Sequence, residues 1–119
     1  MVRLAELGPE DVTLDPACGT ARFHAMENMI KRIKSKNSKE QATKIKTEKL
    51  FGSDYDANVA KLAKMNMYIR GDGKSNILDR DGLLLYDLDN KVDVILTNPP
   101  LGDQSHQKTD YDNHFIKDL

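Results

Sequence analysis

Asn98-Pro99-Pro100-Leu101 follows directly on the apolar run Val92-Asp93-Val94-Ile95-Leu96-Thr97. At a strand end, such a corner suits gripping an amino group bonded to a flat π-system. The Asn98 side-chain carbonyl and the Pro99 backbone carbonyl can each accept a hydrogen bond from one NH₂. Two acceptors on that nitrogen draw its lone pair out of conjugation and make it a nucleophile. The two prolines fix φ and remove two competing donors. Leu101 is next in line to stack on the gripped ring. The chemistry implied is transfer of a methyl group to an amino nitrogen.

A second motif lies far upstream, Val12-Thr13-Leu14-Asp15-Pro16-Ala17-Cys18-Gly19-Thr20-Ala21-Arg22-Phe23. A short β-prone stretch ends in an acid, turns through a glycine and runs into a helical pattern. Phe23, Met26, Ile30 and Ile33 recur at helical spacing, which predicts a helix starting near Thr20 or Ala21. A tight turn at a helix N-terminus offers free N–H groups and the positive end of the dipole to an anion. A cofactor carboxylate is the expected anion, because the G-x-G-x-x-G spacing of dinucleotide sites is absent.

The elements that must position these residues read as alternating strands and helices. Strand one covers residues 12–15 and is ended by Pro16. A helix covers about residues 21–33, with Phe23, Met26 and Met29 expected in or around the core. Residues 34–47 read as a loop or a weakly helical insertion, and residues 50–53 as strand two. Asp56 offers an N-cap to a helix through Val59, Leu62, Ala63, Asn66 and Ile69, with Met65 and Met67 as core or filler. Gly71 and Gly73 end that helix. Residues 75–78 form a marginal third strand, residues 92–97 the most strongly patterned one, and residues 113–119 the start of a further helix. This alternation argues for a parallel sheet with right-handed crossovers.

Composition sets bounds. With 119 residues the chain is of single-domain size. Its 31% charged residues and mean hydropathy of −0.62 allow only a modest core. The net charge of −1 gives no whole-domain signature of nucleic-acid binding. The charge is uneven, however: Lys31, Arg32, Lys34, Lys36, Lys39, Lys44, Lys46 and Lys49 face only Glu40 and Glu48, a local net of +6. A solvated helix end is the expected reading of that segment, with contact to a DNA backbone as its rival. The single cysteine, Cys18, excludes an internal disulfide and fits a reducing compartment. His24, His106 and His114 are too scattered for a zinc site, so no metal is expected. Neither an N-terminal apolar signal nor a membrane-length run is present, so a soluble, cytoplasmic protein is expected.

Taken together, the motifs resemble the N6-adenine DNA methyltransferases, and most closely the modification subunits of type I restriction systems. The matching residues are Asp15-Pro16-Ala17-Cys18-Gly19-Thr20, Phe51-Gly52-Ser53-Asp54-Tyr55-Asp56, Leu62-Ala63-Lys64-Met65-Asn66-Met67-Tyr68-Ile69-Arg70-Gly71 and Asn98-Pro99-Pro100-Leu101-Gly102. The resemblance implies a Rossmann-like α/β methyltransferase fold of about four parallel strands, order 3-2-1-4, incomplete relative to the family. Residues 1–119 would be one partial S-adenosylmethionine-dependent domain, with a Lys-rich loop or insertion at about 34–49.

It further implies S-adenosyl-L-methionine as cofactor and methyl transfer to a flipped adenine in DNA. A specificity subunit, and a restriction subunit beside it, would be the partners. Asp15, Pro16, Ala17, Cys18, Gly19 and Thr20 would hold the cofactor's amino-acid moiety. Asp54 would take the ribose hydroxyls, Asp56 being better used as a helix cap, and Asp81 the adenine amino group. Asn98, Pro99, Pro100 and Leu101 would form the catalytic corner.

Two positions depart from the pattern. Ala21-Arg22 stands where the family usually has Gly-Gly, so a Cβ is added where φ is expected to be positive or the cofactor close. Leu101 stands where the family has an aromatic, with a loss of stacking worth about 1–3 kcal/mol. The isolated chain is therefore expected to be weak or inactive. The alternatives are a non-catalytic remnant that binds cofactor or a partner subunit, an Asn-Pro-Pro methyltransferase acting on RNA guanine or protein glutamine, and a plain nucleotide-binding module.

Overall fold

The computed structural model describes residues 1–36, 38–72, 76–82 and 91–99. Pro100, Leu101 and the helix expected over residues 113–119 lie outside them. The elements run β1 (Thr13–Asp15), α1 (Arg22–Lys34), α2 (Lys39–Glu48), β2 (Leu50–Ser53), α3 (Ala57–Ile69), β3 (Asn76–Leu78) and β4 (Val94–Ile95). All pairings are parallel and the order is β3-β2-β1-β4. This is the parallel α/β sheet, order 3-2-1-4, expected from the sequence.

The strands are short because β1 is short. Pro16 follows its third residue and has no N–H with which to continue the ladder. Regular β4 accordingly shrinks to two residues from the six expected. One further ladder bond, from Leu96 N–H to the Leu14 carbonyl at 3.1 Å, carries the chain toward Asn98.

Of the two readings offered for residues 34–47, loop or weakly helical insertion, the helical one holds, with α2 over Lys39–Glu48. Ser38 caps it by accepting from the Gln41 N–H at 3.5 Å, and its Glu, Gln, Ala and Lys content favours helix. Ile45, fully buried, anchors it to the main core with Leu50, Ala60, Ala63, Met67 and Ile77. A second cluster joins Val2 and Leu7 of the N-terminal segment to Leu96, with Phe23, Ile30 and Val94 packed against it.

Both long helices turn a different face inward from the one periodicity suggests. On α1 the buried residues are His24, Glu27, Asn28 and Lys31, while Met26, Met29 and Ile33 are exposed. Glu27 and Lys31 are tolerated there because they have partners, whereas the His24 ring nitrogens and Asn28 Oδ1 have none among the described residues. The Thr13 hydroxyl donates to Glu27 Oε2 at 2.8 Å, and the Lys31 ammonium donates to the Asp11 and Lys49 carbonyls. On α3 the inward stripe is Ala60, Ala63 and Met67, whereas Leu62, Met65 and Ile69 are exposed. The two alanines let the helix lie close to the sheet. No described helix is long and apolar enough to cross a membrane.

Candidate functional site

The chemically suggestive residues that the structure describes gather at the carboxyl ends of the strands. β1 is the point where the connections part, toward β2 on one side and β4 on the other, and this is where open α/β sheets bind ligands. The loop after β1 is tied to its neighbours by backbone bonds. Cys18 N–H donates to the Ser53 carbonyl at 2.8 Å, and Ala21 N–H to the Cys18 carbonyl at 2.8 Å. Gly19 takes φ of +53° with open space beside it, a conformation that favours glycine. Its N–H donates to Asp54 Oδ2 at 2.9 Å.

Asp54 is also held from behind. Its own N–H donates to the Leu78 carbonyl at 3.1 Å, and its Oδ1 accepts from the Asp56 N–H at 3.1 Å. Asp56 caps α3, accepting from the N–H groups of Asn58 and Val59 as the sequence suggested. Asp81 follows β3 and is half-buried. The next residue, Gly82, lies so close to Pro16 that an added Cβ would sit 2.3 Å from the Pro16 carbonyl oxygen. Residues 15–20, 54 and 81 therefore belong to one assembly of loops.

Asp15 is the most buried of the acids there, 2% exposed, and its Oδ1 accepts from the Ala17 N–H at 3.1 Å. Burial raises its carboxyl above the ordinary 3.8, and the nearby Asp54 charge adds to the rise. The Thr97 hydroxyl, the Ala17 N–H and His24 oppose that rise. Thr97 faces the carboxylate without a hydrogen bond of full geometry. It immediately precedes Asn98, so the loop after β1 and the Asn98-Pro99 corner are neighbours across the β1–β4 pair. Asn98 and Pro99 are exposed. Cys18 is buried, and its thiol is pushed up to about 12, first by burial and then by Asp15 and Asp54.

The expected strain is present at Ala21, which takes φ of +60° as the residue just ahead of α1. Its methyl group points into the main core, fully buried, and Arg22 is exposed. The substitution thus loads the turn instead of narrowing the pocket.

Asn66 has a role that the pattern of residue types did not reveal. Its Nδ2 donates to the Thr20 carbonyl at 2.7 Å, and its Oδ1 accepts from Arg70 Nε at 3.0 Å. Its position on the loop-facing side of α3, four residues before an arginine, was the only available signal.

The Lys-rich segment lies at the other end of the sheet. Lys31 meets the Asp11 and Lys49 carbonyls, Lys34 the Glu6 carbonyl and Lys46 the Gly71 carbonyl, while Lys44 and Lys49 pair with Glu10. These partners sit before β1 and β2 and after α3, away from the loop at residues 15–20. Among the described residues no cluster of His, Cys, Asp and Glu could hold a metal ion.

A parallel sheet of this order, with an acid-ended, glycine-containing loop at its switch point and an Asn-Pro corner on the adjacent strand, defines a methyltransferase-type α/β domain. The pattern of the N-6 DNA Methylase family matches residues 1–118, and the chain belongs to that family. It is 33% identical over 117 residues, 93% of its length, to the "Type II restriction enzyme and methyltransferase RM.BcgI" of Heyndrickxia coagulans. Among solved structures it is similar to a modification subunit of a putative type I restriction enzyme from Vibrio vulnificus YJ016, with 30% identity, a TM-score of 0.71 and 87% of this chain covered. The type I restriction enzyme EcoKI M protein shares the fold at 24% identity and a TM-score of 0.70 over 86% of the chain. The chain spans only 18%, 22% and 23% of the lengths of these three proteins, respectively.

Proposed function

We propose that the chain is part of a site-specific DNA adenine-N6 methyltransferase of the type I modification-subunit kind. The observation that carries this reading is the adjacency of the buried Asp15 on β1 and the Asn98-Pro99 corner after β4, with Thr97 lying between them. The donor set suits S-adenosyl-L-methionine: buried Asp15 for a cationic amino-acid group, open space beside Gly19, and Asp54 with lone pairs to spare for hydroxyls. Pro16, Ala17, Cys18 and Thr20 would complete the loop around the cofactor, and Asp81 would meet its adenine.

When bound, the cofactor supplies a methyl group on a positively charged sulfur, already a good electrophile. Asn98 and Pro99 accept the two N–H bonds of the adenine amino group and localise its lone pair. By the family resemblance, Pro100 would keep the corner free of donors and Leu101 would be the side chain offered to the flipped base. The cofactor would supply the methyl group to the amino nitrogen, and the surplus amine proton would leave to water. In-line positioning supplies much of the rate, so no strong general base is required. A separate specificity subunit would choose the DNA sequence, with a restriction subunit as a further partner.

Calorimetric titration with S-adenosylmethionine, beside an Asp15→Ala control, tests this reading. Binding that vanishes in the control, followed by labelled-methyl transfer to adenine-containing DNA in the presence of a specificity subunit, is the expected result. Binding without transfer in that complete assay would leave the alternative of a non-catalytic cofactor-binding remnant. No binding at all would overturn the cofactor assignment.

A further inference from the structure

Asp15 is a carboxylate sunk to 2% exposure; among the described residues its side chain accepts from the neutral Ala17 N–H, with the Thr97 hydroxyl facing it. A buried carboxylate held so sparsely has room for a further hydrogen-bond donor. The described residues offer His24. Thr13 and Asp15 lie on the same face of β1, the face turned to α1, because the Thr13 hydroxyl reaches Glu27 on that helix. Asp15 is paired in register with Gly52 on β2. The His24 imidazole rests on Gly52: a Cβ there would lie 2.8 Å from both Cε1 and Nε2. His24 is thus packed one strand from Asp15, beneath the loop it helps to begin.

The imidazole is 1% exposed, and neither ring nitrogen has a hydrogen-bond partner among the described residues. A notch meant only for packing would hold leucine at lower cost, since an unpaired buried polar group is destabilising. The surrounding groups leave Asp15 as the natural partner. Ile77 of β3 borders the same notch and is apolar. On α1 itself, Glu27 is engaged by Thr13, and Lys31 by the Asp11 and Lys49 carbonyls. Asp54, beyond β2, is engaged by Gly19 and Asp56.

We propose that His24 is a positioning residue for the cofactor loop, its buried imidazole set beside Asp15 so that the carboxylate stays available to the cofactor. This rests on the reading of residues 15–20 as the cofactor loop. It is consistent with the electrostatic effect of His24 on Asp15, which opposes the effect of burial.

The test compares the wild-type chain with His24→Leu and His24→Gln. The readouts are ¹³C NMR titration of the Asp15 carboxyl, thermal stability, and calorimetric binding of S-adenosylmethionine across pH. In His24→Leu the Asp15 midpoint should move up, thermal stability should hold or rise, and the cofactor Kd should rise at least tenfold with a displaced pH profile. An Asp15 titration and a cofactor affinity both unchanged in His24→Leu would overturn the proposal. Should that variant fail to fold, His24→Gln is measured in the same way, and the same two results support or overturn the role. A wild-type chain that binds no cofactor would refute the methyl-transfer reading and this role together, whereas wild-type binding with unaltered variant affinity would refute the role of His24 alone.

Discussion

Gly19 and Asp54, 35 residues apart in sequence, are joined by a 2.9 Å hydrogen bond from the glycine N–H to the carboxylate. The same carboxylate accepts from the Asp56 N–H. One side chain therefore links the loop after β1 to the turn after β2, and its charge strengthens both bonds. Replacing Asp54 by Ala should lower stability by about 1–2 kcal/mol and weaken S-adenosylmethionine binding at least tenfold. Replacing Asp56 by Ala should cost about 1 kcal/mol through loss of the helix cap and leave cofactor affinity nearly unchanged. Denaturant melts and calorimetry on the two variants separate a residue that serves the site from one that serves the helix.

Ala21 couples strain to packing. Its left-handed backbone costs about 1–2 kcal/mol relative to the right-handed region, while its buried methyl and lower unfolded-state entropy return a similar amount. Ala21→Gly should therefore change stability by less than about 1 kcal/mol. Ala21→Val places a β-branched residue at φ of +60° inside a filled core and should cost more than about 2 kcal/mol. Thermal denaturation of both variants checks the pair of expectations.

Gly82 is confined by backbone, which cannot swing aside as a side chain would. A Cβ there would stand 2.3 Å from the Pro16 carbonyl oxygen and 2.4 Å from its Cα. Gly82→Ala should push the segment at 81–82 away from the loop at 15–20, costing about 1–3 kcal/mol, and should weaken cofactor binding at least tenfold. An unchanged melting temperature would show that the two loops do not pack as described.

Lys31 is fully buried, and burial lowers its ammonium from the ordinary 10.5 to about 8, with Glu27 and Asp11 opposing the shift. Below about pH 8 the ammonium is charged in both folded and unfolded chains, and the fold bears the whole desolvation cost. Between about 8 and 10.5 the unfolded chain holds the proton that the folded chain has released, so this residue makes stability rise with pH. The rise should reach at most about 3 kcal/mol. Chemical denaturation from pH 7 to 10.5, read as wild type minus Lys31→Met, should show it; a flat difference would contradict it.

The Cys18 thiol, pushed up to about 12 inside the core, is almost wholly protonated at neutral pH. Since the thiolate is the nucleophile, iodoacetamide at pH 7.5 should label the native chain at least a hundredfold more slowly than the denatured chain. Cofactor binding should slow it further by holding the loop closed. Mass spectrometry of timed aliquots reads both effects.

The residue order was sufficient for the acid-and-glycine loop and the Asp56 cap, which depend on local backbone chemistry, and for the family, which depends on short motifs; the strand order came only through that resemblance. Pro16 ending a strand, Asp56 accepting from the next N–H groups and Asn98-Pro99 closing an apolar run all act over a few residues. Local pattern did not decide which face of α1 and α3 turns inward. Met26, Met29, Leu62 and Met65 have the apolarity of core residues but lie outside, while Glu27 and Lys31 lie inside. Their partners, Thr13 and the carbonyls of Asp11 and Lys49, are distant in sequence and exist only once the sheet has formed. The same holds for Asn66 on Thr20, Gly82 on Pro16 and His24 on Gly52. A buried polar group is stable only where the fold brings it a partner, and a close backbone approach is set by the neighbouring chain. Tertiary structure alone decides both.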